Sequence, residues 1–420
     1  MGFASAYLEE RALFPELIEE TPPENTGIIV VVPSYNEPDI TDLLDSLALC
    51  QEPVCKVEVI IVVNSPAEAS EDSLRNNRES IIKAELWKKE HPDCFYNIYV
   101  IDSSSLKFDG WSVGVARKTG MDESVRRFDL LNKPDGIILN LDADCKVESN
   151  YFTAIYSEMH GFKDRSACSI RFEHPNSGKE FSQKVYRSIT LYELHLRYYF
   201  QGLAYSGFPY VHHTVGSAIA VKALSYVKAG GMNRRMAGED FYFIQKLVPA
   251  GGFFNLNLTT VFPSPRSSSR VPFGTGVAIS RLTEGNDDVF LTYNFKAFIE
   301  LTTLFSLIDR IFLCENDDPD FAYSDLPPGI KQFTDKQEWT AKIGEIKRNT
   351  AGIQSFRKRF YGWFNMFRIV KYLNSAHDSF FRKKPVNESA SELLMAIGKD
   401  FGSMDPSELL RYYRLLELSG

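Results

Sequence analysis

The chain has 420 residues, enough for two domains or for one large domain with an appendage. Hydrophobic residues make up 44% and aromatic residues 13%, a supply that fills a core and excludes extended disorder. The balance of 47 Lys+Arg against 55 Asp+Glu, a net charge of -8, argues against broad nucleic-acid binding.

Residues 1–26 end in the breaker cluster Thr21-Pro22-Pro23-Glu24-Asn25-Thr26 and read as an N-terminal extension with a short helix around Leu13–Ile18. Neither a basic segment leading into an apolar one nor a convincing acylation signal opens the chain, so the expected location is cytoplasmic, or peripheral to the inner face of a membrane. The six cysteines form no CxxC pair and read as scattered reduced thiols. Four short runs rich in Val and Ile follow: Ile28–Val32, Val57–Val63, Asn97–Ile101 and Ile137–Leu141. Mainly apolar runs of this length predict buried parallel strands. Ile40, Leu43, Leu44 and Leu47 lie at helical spacing between the first two, as do Met121, Val125 and Phe128 before the fourth. Alternating strands and helices predict βαβ units and a mostly parallel sheet.

Further on, helices are predicted over Phe181–Tyr205, Val221–Ala229 and Asp240–Val248, with a strand over Phe253–Phe262. The apolar stretch Val289–Cys314 contains Lys296, Glu300, Asp309 and Arg310. It reads as a buried helix, because a spanning helix needs about 20 mainly apolar residues. The predicted division is an extension (1–26), a catalytic α/β domain (27–275) and a mainly helical C-terminal region (276–420).

In open parallel sheets ligands bind beyond the carboxyl ends of the strands, so the residues after each run are the candidates. Asp142-Ala143-Asp144 follows the fourth run. In an extended segment the two carboxylates project to one side, and together they suit Mg2+ or Mn2+ bridging a diphosphate. A lone Asp-x-Asp is also the pattern of a solvated turn or a helix cap. Pro33-Ser34-Tyr35-Asn36-Glu37 follows the first run, and Tyr35 and Glu37 are placed to meet a nucleoside unless this is an ordinary turn. Gly238-Glu239-Asp240 opens a helix, where an acid serves either as a cap or as a general base. A helix N-terminus lowers a carboxylate's pKa, so Asp240 is expected to be a weak, ionised base.

In this order the motifs resemble glycosyltransferase family 2. Pro33–Glu37 is similar to its Pro-x-Tyr-Asn-Glu segment. Gly110–Gly120, containing Ala116-Arg117-Lys118, is similar to its Gly-x-x-x-Ala-Arg-Asn-x-Gly helix start, with Lys118 in place of Asn. Asp142-Ala143-Asp144 is similar to its metal motif, and Gly230-Gly231-Met232 with Glu239-Asp240 to its later Gly-Gly-Phe and Glu-Asp. The resemblance covers roughly residues 27–250. It implies a GT-A-type fold: a Rossmann-like, mostly parallel sheet flanked by helices.

The resemblance also implies roles. Asp142 and Asp144 would hold Mn2+ or Mg2+. Pro33, Tyr35, Glu37, Asn64, Arg117 and Ala143 would line the donor site, and Asp240, aided by Glu239, would act on an acceptor hydroxyl. The donor would be a nucleoside-diphosphate sugar and the acceptor a carbohydrate or lipid-linked molecule, with inverting, non-processive hexosyl transfer. The Gln-x-x-Arg-Trp signature of processive members is missing, and Asn64 stands where an Asp reads uracil. Arg266 and Arg270, near the place of that signature, are candidate diphosphate clamps or a solvated basic loop. His212-His213 suits packing or an acceptor cleft better than a metal. The rival readings are a sugar-phosphate nucleotidyltransferase, which would want a glycine-rich loop after the first strand, and a silent nucleotide-sugar-binding protein.

Overall fold

A computed structural model describes residues 2–235, 238–268, 274–285, 289–314, 323–399, 402 and 404–418. In chain order the first elements are α1 (Ser5–Arg11), β1 (Thr26–Ser34), α2 (Ile40–Ala48), β2 (Lys56–Val63), α3 (Glu71–Glu90) and β3 (Tyr96–Asp102). They are followed by α4 (Val113–Leu130), β4 (Ile137–Asn140), β5 (Cys145–Val147), α5 (Tyr151–Gly161) and β6 (Ala167–Phe172). Next come α6 (Gln183–Tyr205), β7 (Ile219–Lys222), α7 (Ala223–Lys228), α8 (Glu239–Leu247) and β8 (Phe253–Pro263).

The remainder is mainly helical: α9 (Thr275–Glu284), β9 (Leu291–Thr292), α10 (Phe295–Ser306), α11 (Ile308–Leu313) and α12 (Pro328–Phe333). After them lie α13 (Lys336–Arg348), α14 (Ile353–Trp363), α15 (Met366–Ser379), β10 (Lys384–Pro385), α16 (Val386–Ala396) and α17 (Pro406–Leu418). Two compact units result. One holds residues 1–182 and 212–277, the other residues 183–211 and 278–420.

The first unit is built on an eight-stranded sheet of order β3-β2-β1-β4-β7-β6-β8-β5. The four predicted strands form its parallel half, β3-β2-β1-β4. Every residue of β1 is buried, which explains its unbroken apolar run. Antiparallel β7 joins β4 and turns the sheet toward β6, β8 and β5. The expected α/β class, a mostly parallel sheet flanked by helices with a helical C-terminal region, is the architecture found.

Local differences have local causes. Ile40, Leu43, Leu44 and Leu47 are the buried face of α2, as their spacing predicts. The N-terminal helix is α1, Ser5–Arg11, instead of Leu13–Ile18. Residues 13–18 run non-helically, and the amides of Leu17 and Ile18 donate to Glu123, each at 3.3 Å. Val221 and Lys222 lie in β7, and the helix begins only at Ala223, because pairing with β4 and β6 overrides the helical pattern. Val289–Cys314 is a short strand and two helices, not one helix. Among the described residues, no helix is long and apolar enough to cross a membrane.

Helix α4 packs along β1 and β2, and most of it is buried despite its charges. Each charge is therefore met. Arg127 grips Glu58 of β2 with two bonds of 2.6 and 2.7 Å and donates to the Glu20 carbonyl at 2.8 Å. Asp122 accepts from Tyr7 at 2.7 Å and from Tyr226 at 2.8 Å, and Lys118 pairs with it at 2.8 Å. The N-terminal residues are thus fastened to α4, with Tyr7 and Ile18 in the core.

Breaking one partner of a buried pair strands the other charge. Arg127→Ala should cost about 3–5 kcal/mol in urea unfolding. The double variant Arg127→Met/Glu58→Leu should recover most of that loss. Equal losses in the single and double variants would mean that packing, and not charge pairing, sets the cost.

Candidate active site

The site lies at the carboxyl end of the parallel half of the sheet, where β1, β2 and β4 give way to loops. Two loops there are tied together by a residue that no motif picks out. Asn77 of α3 is buried; its Oδ1 accepts from the Asn36 amide at 2.8 Å. Its Nδ2 donates to the Asn64 carbonyl and to Ser65 Oγ, each at 3.0 Å. The Ser65 amide continues the ladder to Ser103 Oγ at 3.0 Å, beyond β3. Asn36 has φ 55, a left-handed conformation that asparagine tolerates better than most residues. Pro33 and Asn64 are buried within this frame, Tyr35 is half-buried beside it, and the Ser80 hydroxyl holds the Glu37 carbonyl.

Glu37 and Asp144 meet at one arginine. Arg266, just beyond β8, binds Glu37, and its Nε lies 2.9 Å from Asp144 Oδ2. Burial pulls the Arg266 pKa down, but Asp144 and Glu37 outweigh it and raise it. Arg270, the other candidate clamp, lies outside the described residues.

A second arginine collects the other acids. Arg117, one turn into α4 and only 5% exposed, pairs with Asp142 and with Glu239 at the start of α8. Burial lowers its pKa, and Asp142 and Glu239 more than reverse that. Two glycines permit this crossing. A Cβ on Gly216 would stand 2.4 Å from Arg117 Nη1, and one on Gly114 2.2 Å from the Arg235 carbonyl oxygen. The guanidinium is thus engaged by protein carboxylates, and Arg117 braces the Asp-x-Asp segment against α8.

Asp142 and Asp144 do not form an extended pair. β4 ends at Asn140, and the Cys145 amide donates to the Asp142 carbonyl at 3.1 Å, closing a turn around buried Ala143. The alternation argument for their convergence therefore fails, and each carboxylate faces a different arginine. Carboxylate oxygens are still the donors that Mg2+ and Mn2+ prefer. Among the described residues, no group of three or more His, Cys, Asp or Glu gathers for a metal. Asp142 and Asp144 supply such oxygens, each of them paired with an arginine here.

Asp240 is the second residue of α8, behind a Gly238 cap at φ 70, and its own Oδ1 accepts from the Phe241 amide at 2.7 Å. It is not the helix cap. Its pKa is pushed up to about 6, by burial first and then by Glu239, with Arg117 opposing. The expected lowering by the helix N-terminus is overturned, because desolvation and a neighbouring carboxylate outweigh a terminal dipole. His212 packs on Phe253 and His213 on Phe172, at centroid separations of 4.4 and 5.0 Å.

No protein-family model and no curated protein sequence matches the chain. Solved structures do match it. Staphylococcus aureus TarS residues 1–349 in complex with UDP-GlcNAc is 13% identical, with 92% of this chain and 91% of that one covered and a TM-score of 0.38. The mannosyltransferase PcManGT from Pyrobaculum calidifontis, in complex with GDP-Man and Mn2+, is 12% identical over 99% and 93%, with a TM-score of 0.36. A mycobacterial protein is 12% identical over 72% and 78%, with a TM-score of 0.35.

Gly216→Ala tests the Arg117 crossing. Overpacking against the guanidinium should cost about 1–3 kcal/mol in thermal or urea unfolding. Wild-type stability in this variant would show that Arg117 is not confined there.

Proposed function

We propose that this chain transfers a sugar from a nucleoside-diphosphate sugar to an acceptor hydroxyl, with a divalent cation, as an inverting, non-processive hexosyltransferase. The observation that carries the reading is the charge cluster at the sheet edge. Glu37, Asp142, Asp144, Glu239 and Asp240 share Arg117 and Arg266. Among the described residues these five carboxylates gather at two arginines, and carboxylate oxygens suit a divalent cation that arrives with a ligand bringing further oxygen donors. The family order of motifs supports the same reading, with residues 27–275 as the catalytic region and 276–420 as a helical companion.

Asp142 and Asp144 are the groups that would hold Mn2+ or Mg2+. Bound there, the ion would neutralise diphosphate oxygens. Arg266 presents a planar fork suited to the same diphosphate and can exchange Asp144 for it. Tyr35, Glu37 and Asn64, with Pro33 behind them, would form the nucleoside side of the site on the frame that Asn77 holds. Arg117 is a positioning residue that fixes Asp142 relative to Glu239.

Asp240 would take the proton of the acceptor hydroxyl as its oxygen bonds to the anomeric carbon and the bond to the diphosphate oxygen breaks. The raised pKa makes Asp240 a stronger base than an ordinary aspartate while leaving it mostly ionised near neutrality. Glu239 would support it. The acceptor is a carbohydrate or a lipid-linked molecule, and the setting is cytoplasmic or peripheral to a membrane.

Calorimetry with UDP- and GDP-sugars is the first test. Binding should need Mn2+ or Mg2+, and Asp144→Ala should abolish that dependence while remaining folded. Equal affinity in EDTA and in Mn2+ would sink the metal assignment.

Asp240→Asn should still bind donor and lose transfer by roughly 10²-fold or more. Protonation silences a base, so wild-type kcat/KM should fall as pH drops through about 6, the raised pKa of Asp240. That acid limb should be missing from the residual activity of the variant. Near-normal turnover in Asp240→Asn would move the role to Glu239.

A further inference from the structure

Charge is unevenly spread along this acidic chain. Residues 342–384 hold eleven Lys and Arg against two acids, Glu345 and Asp378. Six of the basic residues fall between Lys342 and Arg359, where Glu345 is the one acid in the sequence. These positions span the second half of α13 and the first half of α14.

The fold gathers them. Lys342 pairs with Glu345 at 2.7 Å. The same carboxylate, held below its usual range first by Lys342, also feels Arg359 of α14 and Arg348 of α13. One exposed acid therefore faces three bases from two helices. Arg348, Lys358 and Arg359 are exposed, and Arg357 is paired with Asp309. Lys347 Nζ reaches the Cys314 carbonyl at 3.1 Å, which brings Leu313, 70% exposed, beside the basic cluster.

Exposed like charges repel, and an anionic surface relieves that cost. Polybasic clusters with an adjacent apolar side chain suit a membrane interface, where phosphates meet the cations and the apolar group enters the acyl boundary. Non-specific nucleic-acid binding would also want aromatic faces on which bases stack. Phe356 and Phe360 of α14 are buried instead. We propose that this face of α13 and α14 adsorbs to an anionic lipid surface, with Arg348, Lys358 and Arg359 on the headgroup phosphates and Leu313 as a shallow anchor. It gives the peripheral setting proposed above a specific surface, and it stands apart from the catalytic reading.

The test is co-sedimentation of the full chain with vesicles of phosphatidylcholine alone or mixed with phosphatidylglycerol. Glu315, Asp317, Asp318 and Asp320, which follow Cys314 outside the described residues, stay unchanged throughout. Wild-type protein should partition at least about tenfold more strongly onto the mixed vesicles, and raising salt from ~50 to ~500 mM should remove that preference. Arg348→Glu/Lys358→Glu/Arg359→Glu should lose about tenfold of it, and Leu313→Ser a smaller part. Donor hydrolysis, measured alongside, should be unchanged in both variants, so failure here and failure of the catalytic reading remain distinguishable. Equal partition onto both lipids, no partition, an unaffected triple variant, or stronger retention on single-stranded DNA than on the mixed vesicles would each overturn the proposal.

Discussion

Burying a guanidinium is costly unless carboxylates meet it, and Arg117 is where this protein accepts that constraint. Its two partners come from places far apart in the chain, Asp142 after β4 and Glu239 at the start of α8. Satisfying one charge therefore sets the relation between a sheet-edge loop and a helix start. Gly114 and Gly216 are the steric counterpart, since a methyl group at either would push the partners apart. Asp240 sits beside Glu239 in the same desolvated setting and is driven toward its neutral form, with Arg117 opposing.

Helix α4 extends this logic along its length. A helix this buried would ordinarily be apolar, yet it carries Arg117, Lys118, Asp122, Glu123 and Arg127 inside the unit. Each has a partner from β2, from the N-terminal residues, from α7 or from the site. One end of the helix braces the candidate active site, and the rest fastens residues 4–20 to the sheet. That arrangement gives the N-terminal residues a structural reason to be ordered that their own composition does not supply.

Across the sheet edge a second arginine repeats the pattern in a more exposed setting. Arg266 joins Glu37 to Asp144 and is less buried than Arg117. Side chains that are partly solvated exchange partners at lower cost than fully desolvated ones. In the proposed reaction the two arginines would divide the work, one as a fixed brace and one as a group able to turn toward a ligand.

Much of this was legible in the residues themselves. Short runs rich in Val and Ile mark β1 to β4; β1 is buried throughout, and the Glu58 that interrupts the β2 run is met by Arg127, while helical spacing marks the buried face of α2. The positions Glu37, Asp142, Asp144, Glu239 and Asp240 stand at strand and helix ends, where topology alone makes them candidates. Local pattern did not determine what those residues touch. The β7 strand beginning at Ile219 and the non-helical course of residues 13–18 follow from pairing and burial partners distant in sequence. Asn77 had no local signal, since its bonds run to loops 12 to 41 residues away. The sign of the Asp240 shift likewise belonged to tertiary structure, because its main cause, desolvation, depends on how α8 is packed, and it outweighs both the opposing Arg117 and the helix-terminus effect visible in the sequence.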